Sequence, residues 1–337
     1  MSTHQAVHIR SAGDALKVVE VDTTAPPRDH VRIRVSACGV CGTDRAFAGG
    51  GFPGMSWPLT LGHEIAGTIA ELGDGVDNYA LGDRVAVGWF GGHCGECIPC
   101  RQGDFIHCVN LRVPSWHYPG GYAESVTVPA NAPARIPDEL SFSEAAPMGC
   151  AGVTTFHALR ESRARPGDRV AILGIGGLGH LGVQFARAMG FETIAIARGA
   201  GKAEDARALG AHHYIDSTAV EVGEALRELG GAAVVLATAG NSAAMADTVG
   251  GLQPRGELIT IGVTADPLPI SPMQLIVPGL RVIGHPTGTA RDVEETMEFA
   301  VRSGVRARIQ ELPLEQAAQA YADMEQGRAR YRMVLTM

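Results

Sequence analysis

Seven cysteines stand in this chain, and four of them, Cys94, Cys97, Cys100 and Cys108, fall within fifteen positions of the stretch GGHCGECIPCRQGDFIHC. Four thiolates on one short loop fill every position of a tetrahedral zinc ion. A closed site of that kind anchors a loop and leaves no place for a substrate, so its contribution is structural. His93 and His107 flank the cluster, but four thiolates already complete it. The other cysteines are dispersed: Cys38 and Cys41 in CGVCGTD, and Cys150 in MGCAG. With His63 of GHEIAG, Cys41 and Cys150 can supply two thiolates and one imidazole, a ligand set for a zinc ion with one position left open. They lie far apart along the chain, and spacing alone does not bring them together.

A second chemical signal follows. RVAIL runs into GIGGLG, so Gly174, Gly176 and Gly179 stand in the spacing G-x-G-x-x-G, with Gly177 and Leu178 inside the turn. In a chain with 44 glycines the spacing alone is weak. Its position after an apolar strand and before a helical pattern is the context that gives it meaning. Gly174 permits the tight turn, Gly176 lets the backbone approach a pyrophosphate, and Gly179 lets the helix pack close to the strand. The helix N-terminus then offers N–H groups to the phosphates. The choice between NAD and NADP falls at the end of the next strand. Ala197 occupies the place where an acidic side chain would bind ribose, and Arg198, Gly199 and Lys202 follow it. A guanidinium and an ammonium can bind a 2′-phosphate, which predicts a preference for NADP(H). The alternative is that both are solvated loop charges.

The elements that must position these residues come in two textures. From about residue 5 to 145, short β segments such as VRIRVSA, GDRVAVG and YAESVTVP are broken by Gly, Pro and Asp turns. From about 165, apolar runs alternate with helical segments: RVAIL, TIAIA, AVVLAT, ELITIGV and RVIG. Leu181, Phe185, Ala188 and Met189 recur at helical spacing, and Gly190 can end that helix. Strand, helix and strand in repetition predict a doubly wound α/β domain. Two helix-like stretches, 291–303 and 315–326, and a closing strand RMVLTM end the chain. A length of 337 residues suggests two domains, with the change of texture near residue 150. The formal net charge of -8 and the lack of any long Lys/Arg run argue against nucleic acid or an anionic membrane as partner. The N-terminal stretch lacks the apolar core of a signal peptide, and no run of apolar residues is long enough to span a bilayer. A cytoplasmic protein is the expectation, and its reducing surroundings disfavour structural disulfides.

Five motifs in order carry a resemblance. They are C-x-x-C-x-T-D at 38–44, G-H-E at 62–64, the four-cysteine loop at 94–108, a Cys before G-x-T at 150–154, and the Gly-rich turn at 174–179. The chain resembles the zinc-containing alcohol dehydrogenases of the medium-chain dehydrogenase/reductase superfamily along nearly its whole length. The resemblance implies a GroES-like β-rich catalytic domain over 1–150, to which 287–337 return, and a Rossmann cofactor-binding domain over 151–286. It implies two zinc ions per chain: a catalytic one on Cys41, His63 and Cys150 with Glu64 nearby, and a structural one on the four-cysteine loop. Asp44 would accept a hydrogen bond from His63, Thr43 would bond the substrate oxygen and carry its proton away, Thr154 would touch the nicotinamide, and Arg332 would reach the cofactor pyrophosphate. Trp57, Phe90 and Trp116 fall where the family lines its substrate pocket, which suggests aliphatic or aromatic primary alcohols and aldehydes. The family is dimeric or tetrameric. It often ends its proton relay with a His five residues after the first zinc cysteine, where this chain has Ala46; neighbouring Arg45 does not deprotonate and cannot replace it. The alternative within the superfamily is a zinc-free quinone or enoyl reductase; the presence of Cys41, His63 and Cys150 argues against it, since a metal-free site has no use for two thiolates.

Overall fold

The alternation in VRIRVSA becomes a long strand, His30–Gly39, with Val31, Ile33 and Val35 buried and Arg34 exposed on the other face. The computed structural model describes residues 2–337. These form two units. The first comprises the chain up to Val153, Thr287–Arg302 and Arg306–Met337; the second comprises Thr154–Pro286 and Ser303–Val305. In the first unit, the His30–Gly39 strand pairs antiparallel with Ile65–Leu72 on one side and with the closing strand Arg332–Thr336 on the other. The sheet runs Ile309–Pro313, Arg332–Thr336, His30–Gly39, Ile65–Leu72, Arg84–Val87, Ala134–Arg135, and Ser125–Pro129 also pairs with His30–Gly39. A smaller sheet joins Thr3–Ile9, Lys17–Asp22 and Leu59–Thr60. The closing segment therefore returns to the N-terminal sheet as a paired strand.

The second unit contains the doubly wound sheet. Its six strands are all parallel, in the spatial order His213–Asp216, Glu192–Ala197, Arg169–Leu173, Ala232–Ala237, Leu252–Thr260, Arg281–Gly284. The order reverses between Arg169–Leu173 and Ala232–Ala237, and ligands of such sheets bind in the crevice at the carboxyl ends there. The central strands bury both faces, as their uninterrupted apolar runs require. The helix Gly179–Ala188 packs on them through Leu181, Phe185 and Ala186, while Ala188 is exposed. Gly190 ends it with φ +84°, a conformation glycine adopts without a Cβ clash. His213–Asp216 is a strand that hydrophobic pattern does not reveal: four residues, two of them polar or charged, at the sheet edge. Among the described residues no helix is long and apolar enough to cross a membrane.

Candidate functional site

Three neighbouring strands bring distant residues to one end of the first unit's sheet. Gly39 donates its N–H to the Glu64 carbonyl at 2.8 Å, and Val40 donates to the Met333 carbonyl at 2.9 Å. Cys41, Glu64 and Arg332 thereby meet, although they are up to 291 positions apart (332 − 41). Cys150 arrives on the turn Ala146–Gly149, which lies so close to the end of Arg84–Val87 that a Cβ on Gly88 would fall 1.8 Å from the Gly149 carbonyl oxygen. Only glycine at position 88 allows that approach. The Sγ atoms of Cys41 and Cys150 stand 4.0 Å apart. One donor atom from each of Cys41, His63, Glu64 and Cys150 lies within 4.8 Å of all the others. Zinc–sulfur bonds of about 2.3 Å in a tetrahedron place two sulfurs roughly 3.8 Å apart, so the donors fit that ion.

The ring of His63 is fully buried, and its Nε2 has no hydrogen-bond partner among the described residues. A buried ring nitrogen left without one is costly unless something else accepts its lone pair. Its Nδ1 lies 3.1 Å from Asp44 Oδ1, an ion-pair distance whose angle falls outside hydrogen-bond geometry. Asp44, itself fully buried, is held by two donors on Oδ2: the Cys41 N–H at 2.9 Å and the Tyr122 hydroxyl at 2.9 Å. Asp44 thus ties the loop of Cys41 to the ring of His63, the partner arrangement that orients a metal-binding histidine. Thr43 precedes the short helix Asp44–Ala48 and makes no side-chain cap bond, so its hydroxyl is not spent on the helix. Ala46 is exposed.

Charges are tightly linked here. Burial pushes the Glu64 carboxyl up to about 7, while the Arg332 guanidinium pulls the other way. A hydrogen bond from the Cys150 thiol, with the Arg332 and His63 charges behind it, holds the Cys41 thiol well below its usual range despite burial. The same contact raises the Cys150 thiol, and burial adds to this. Burial favours neutral His63, but the Cys41 and Asp44 charges together outweigh it and raise that ring well above its ordinary value. Arg332 is 3% exposed and grips both oxygens of Glu64. The resemblance puts Arg332 on the cofactor pyrophosphate; the partner the structure gives it is Glu64.

Phe90 is buried, and its ring faces His93 of the four-cysteine loop at 5.9 Å. The ring that meets His63 belongs to the preceding residue, Trp89, edge-on at 5.7 Å. The strand ends at Val87, and in the bend that follows Trp89 turns toward His63 while Phe90 turns toward the four-cysteine loop. Trp89 continues into Phe47 at 5.8 Å and Phe52 at 6.0 Å, and Phe52 reaches Trp116 at 4.7 Å. Trp116 also donates its Nε1–H to the Pro53 carbonyl. Trp57 packs against the same core, outside this chain of ring contacts. Tyr122 was also not foreseen. The signal is Gly120-Gly121 before it: a Cβ at either position would strike the Leu61 carbonyl or the Ile65 side chain, so the pair lets Tyr122 lie against the segment that carries His63.

The four-cysteine loop closes on itself. Cys108 Sγ stands 3.5 Å from Cys94 Sγ and 3.8 Å from Cys97 Sγ, and donor atoms of all four cysteines lie within 4.8 Å of one another. The N–H groups of Cys94 and Asn110 point at the Cys108 sulfur. His93 packs its ring on Phe105 at 4.2 Å, and His107 is held by Asp104.

In the second unit the Gly-rich turn has the three properties a dinucleotide cradle needs. Gly174 has φ +93°. A Cβ on Gly176 would meet nothing within 4 Å, and a Cβ on Gly179 would lie 1.8 Å from the Gly174 carbonyl oxygen. Gly177 and Leu178 lead into the helix that starts at Gly179. Thr238, after the strand across the switch point, donates to the Leu173 and Gly174 carbonyls, pinning the turn. Lys202 donates its Nζ–H to the Ile175 carbonyl at 2.9 Å, so it lies over the turn. Arg198 is exposed. Asp216, on the unexpected edge strand, accepts from the Gly199 N–H at 2.7 Å and from both donors of Thr218. Those donors, Thr218 first, hold its carboxyl below the usual range. Thr154 is buried on the helix Ala151–Arg160.

The family model described as "Alcohol dehydrogenase GroES-like domain" matches residues 27–138, and that described as "Zinc-binding dehydrogenase" matches residues 177–302. The chain belongs to the zinc-type alcohol dehydrogenases of the medium-chain dehydrogenase/reductase superfamily. It is 38% identical over 336 residues to the alcohol dehydrogenase patD of Penicillium expansum, covering 100% of this chain and 98% of that one. With an alcohol dehydrogenase of Geobacillus stearothermophilus it shares 37% over 322 residues, 95% and 96% of the two chains. Among solved structures, AibC superimposes with a TM-score of 0.92 at 31% identity, covering 99% of this chain and 96% of that one.

On the expectation that His63 holds a metal ion, replacing Asp44 with Asn should weaken metal retention by about 10–100-fold, because a neutral amide would no longer stabilise that ring. The measurement is the chelator concentration that strips half the metal. An unchanged value would remove Asp44 from the support of the site. Tyr122→Phe takes away one of the donors on Asp44 and should shift the same curve in the same direction by less.

Proposed function

We propose that the protein is a zinc-dependent alcohol dehydrogenase and aldehyde reductase that moves hydride between NADP(H) and a primary alcohol or aldehyde. The observation that carries this reading is the buried meeting of Cys41, His63 and Cys150, with His63 Nε2 lacking a partner among the described residues. In this reading those three side chains hold the catalytic zinc, Glu64 stands beside it with its charge tied to Arg332, and Cys94, Cys97, Cys100 and Cys108 hold a structural zinc. When bound, zinc supplies a Lewis acid for the substrate oxygen and the nicotinamide takes or gives the hydride. Thr43 hydrogen-bonds the substrate hydroxyl and passes its proton outward. No side chain at position 46 can receive that proton, so water completes the path. Trp89, Phe52 and Trp116, with the buried ring of Phe47 packed behind them, give the apolar wall that favours aliphatic or aromatic substrates over charged ones. Gly174, Gly176 and Gly179 with their helix N-terminus hold the pyrophosphate.

Arg198 and Lys202 favour the cofactor with the 2′-phosphate. Asp216 works against it, but three donors on one of its oxygens disperse part of that charge. The kcat/KM for NADPH is expected to exceed that for NADH by roughly tenfold or more, about 1.4 kcal/mol in transition-state binding. Arg198→Ala should lower NADPH use far more than NADH use, since only the phosphate needs the guanidinium. Ala197→Asp should reverse the preference, although Ala197 is 6% exposed and the new carboxylate must turn toward the ribose. Steady-state rates with both cofactors and a panel of primary alcohols and aldehydes check this. Equal or better use of NADH by the wild-type enzyme would mean that both basic residues are solvated loop charges.

A further inference from the structure

A second set of metal-type donors lies in the second unit, used neither by the alcohol chemistry nor by the four-cysteine loop. His157 stands near the end of the helix Ala151–Arg160, and Glu161 follows four residues later on the same face. His285 comes directly after the strand Arg281–Gly284. One oxygen of Glu161 lies 3.4 Å from His157 Nε2, and the other lies 3.1 Å from His285 Nε2. The two rings meet edge-on with centroids 5.2 Å apart.

The tautomer of His285 follows from its other nitrogen. Nδ1 lies 2.5 Å from the Pro286 carbonyl oxygen, which can only accept, so Nδ1 carries a proton. In the neutral ring Nε2 then presents its lone pair to a carboxylate oxygen. Two acceptors face each other there, and either a proton or a cation must stand between them. A ring N–H on a backbone carbonyl is also the support commonly found behind a metal-binding histidine. His157 Nε2 faces the second oxygen of the same carboxylate, so one cation would satisfy both contacts. Zinc bonds of about 2.0–2.2 Å to nitrogen and oxygen put neighbouring tetrahedral donors roughly 3.3–3.6 Å apart. The observed 3.1 and 3.4 Å are close to that, and all three donor atoms lie within 4.8 Å of one another. The side chains of His157 and His285 are 14% and 9% exposed, whereas that of Glu161 is 55% exposed. The rings are fixed by packing while the remaining coordination positions are open to water.

We propose that His157, Glu161 and His285 form a further binding site for a divalent transition metal of the zinc class, with two imidazoles and one carboxylate as ligands and water on the open side. Imidazole donors select zinc and its neighbours over magnesium or calcium. The site is separate from the reading of the protein as a dehydrogenase and does not depend on it.

The test uses the full-length protein as isolated, with Zn2+ alone as the probe. Calorimetric titration is run on wild type, Glu161→Gln and His285→Ala, and thermal unfolding is followed with and without added Zn2+. Wild type is expected to bind one zinc ion per chain more than either variant, and to gain a zinc-dependent rise in Tm that both variants lack. Glu161 is exposed, so Glu161→Gln keeps the fold even if His285→Ala loses packing. An equal number of zinc ions in wild type and Glu161→Gln, with an equal thermal shift, would overturn the site and leave a plain histidine–carboxylate ion pair.

Discussion

Cys41→Ala is expected to lower kcat/KM for alcohol oxidation by at least about 10³-fold, roughly 4 kcal/mol of transition-state stabilisation. Loss of one proposed thiolate ligand would leave His63 and Cys150 as the remaining pair, and Glu64 is poorly placed to replace it because Arg332 holds both of its oxygens. The fold should survive. Cys41 sits in a loop after its strand, and removing a small side chain there costs about 1–2 kcal/mol, within the ordinary range for a single substitution. Cofactor binding should also persist, because the residues proposed for it belong to the second unit. The informative combination is therefore lost turnover with an unchanged circular dichroism spectrum and unchanged cofactor binding. Full turnover in the variant would take Cys41 out of the chemistry.

Cys97→Ser is expected to act in the opposite sense, on stability before turnover. A four-thiolate zinc site contributes folding energy directly. The loop it closes has other anchors: the Gly91 N–H donates to the Arg112 carbonyl, the Arg112 N–H donates to that of Gly92, Tyr118 donates to the Gly91 carbonyl, and Asn131 donates to that of His93. Those bonds limit the loss, and about 4 kcal/mol, or a fall in Tm of roughly 10 °C, is expected. Turnover per folded molecule at low temperature should stay near wild type. A variant of normal stability with little turnover would reverse the division of labour between the two sulfur clusters.

Residue type made much of this legible. Cysteine and histidine in quantity have few uses, so Cys94 to Cys108 read as a closed cluster, and glycines between a strand and a helix read as a cradle. The buried central strands were visible because apolar runs have no other soluble use. What escaped depended on pairing across long distances or on the parity of one residue. Trp89 and Phe90 are adjacent aromatics, and nothing local says which faces His63. Tyr122 touches Asp44 only because two glycines let its segment lie beside the one carrying His63. Asp216 sits on a short edge strand with little apolar character, so its approach to Gly199 could not be foreseen. The contact of Arg332 with Glu64 depends on the pairing of the closing strand, a property of the folded sheet that no local pattern announces.

Graded metal removal, with turnover and metal content measured on the same samples, tests the central claim most directly. The full-length enzyme is treated with increasing chelator, its zinc per chain is counted, and oxidation of a primary alcohol with NADP+ is followed at each step. In the proposed reading a zinc ion at Cys41, His63 and Cys150 would keep an open position, whereas one in the four-cysteine cluster would be closed in, so the first should leave more easily. Turnover is predicted to fall in proportion to that first equivalent, to recover when Zn2+ is restored, and to be insensitive to chelator only in Cys41→Ala, which starts without it. Undiminished alcohol oxidation in protein that has lost all its zinc would contradict the account.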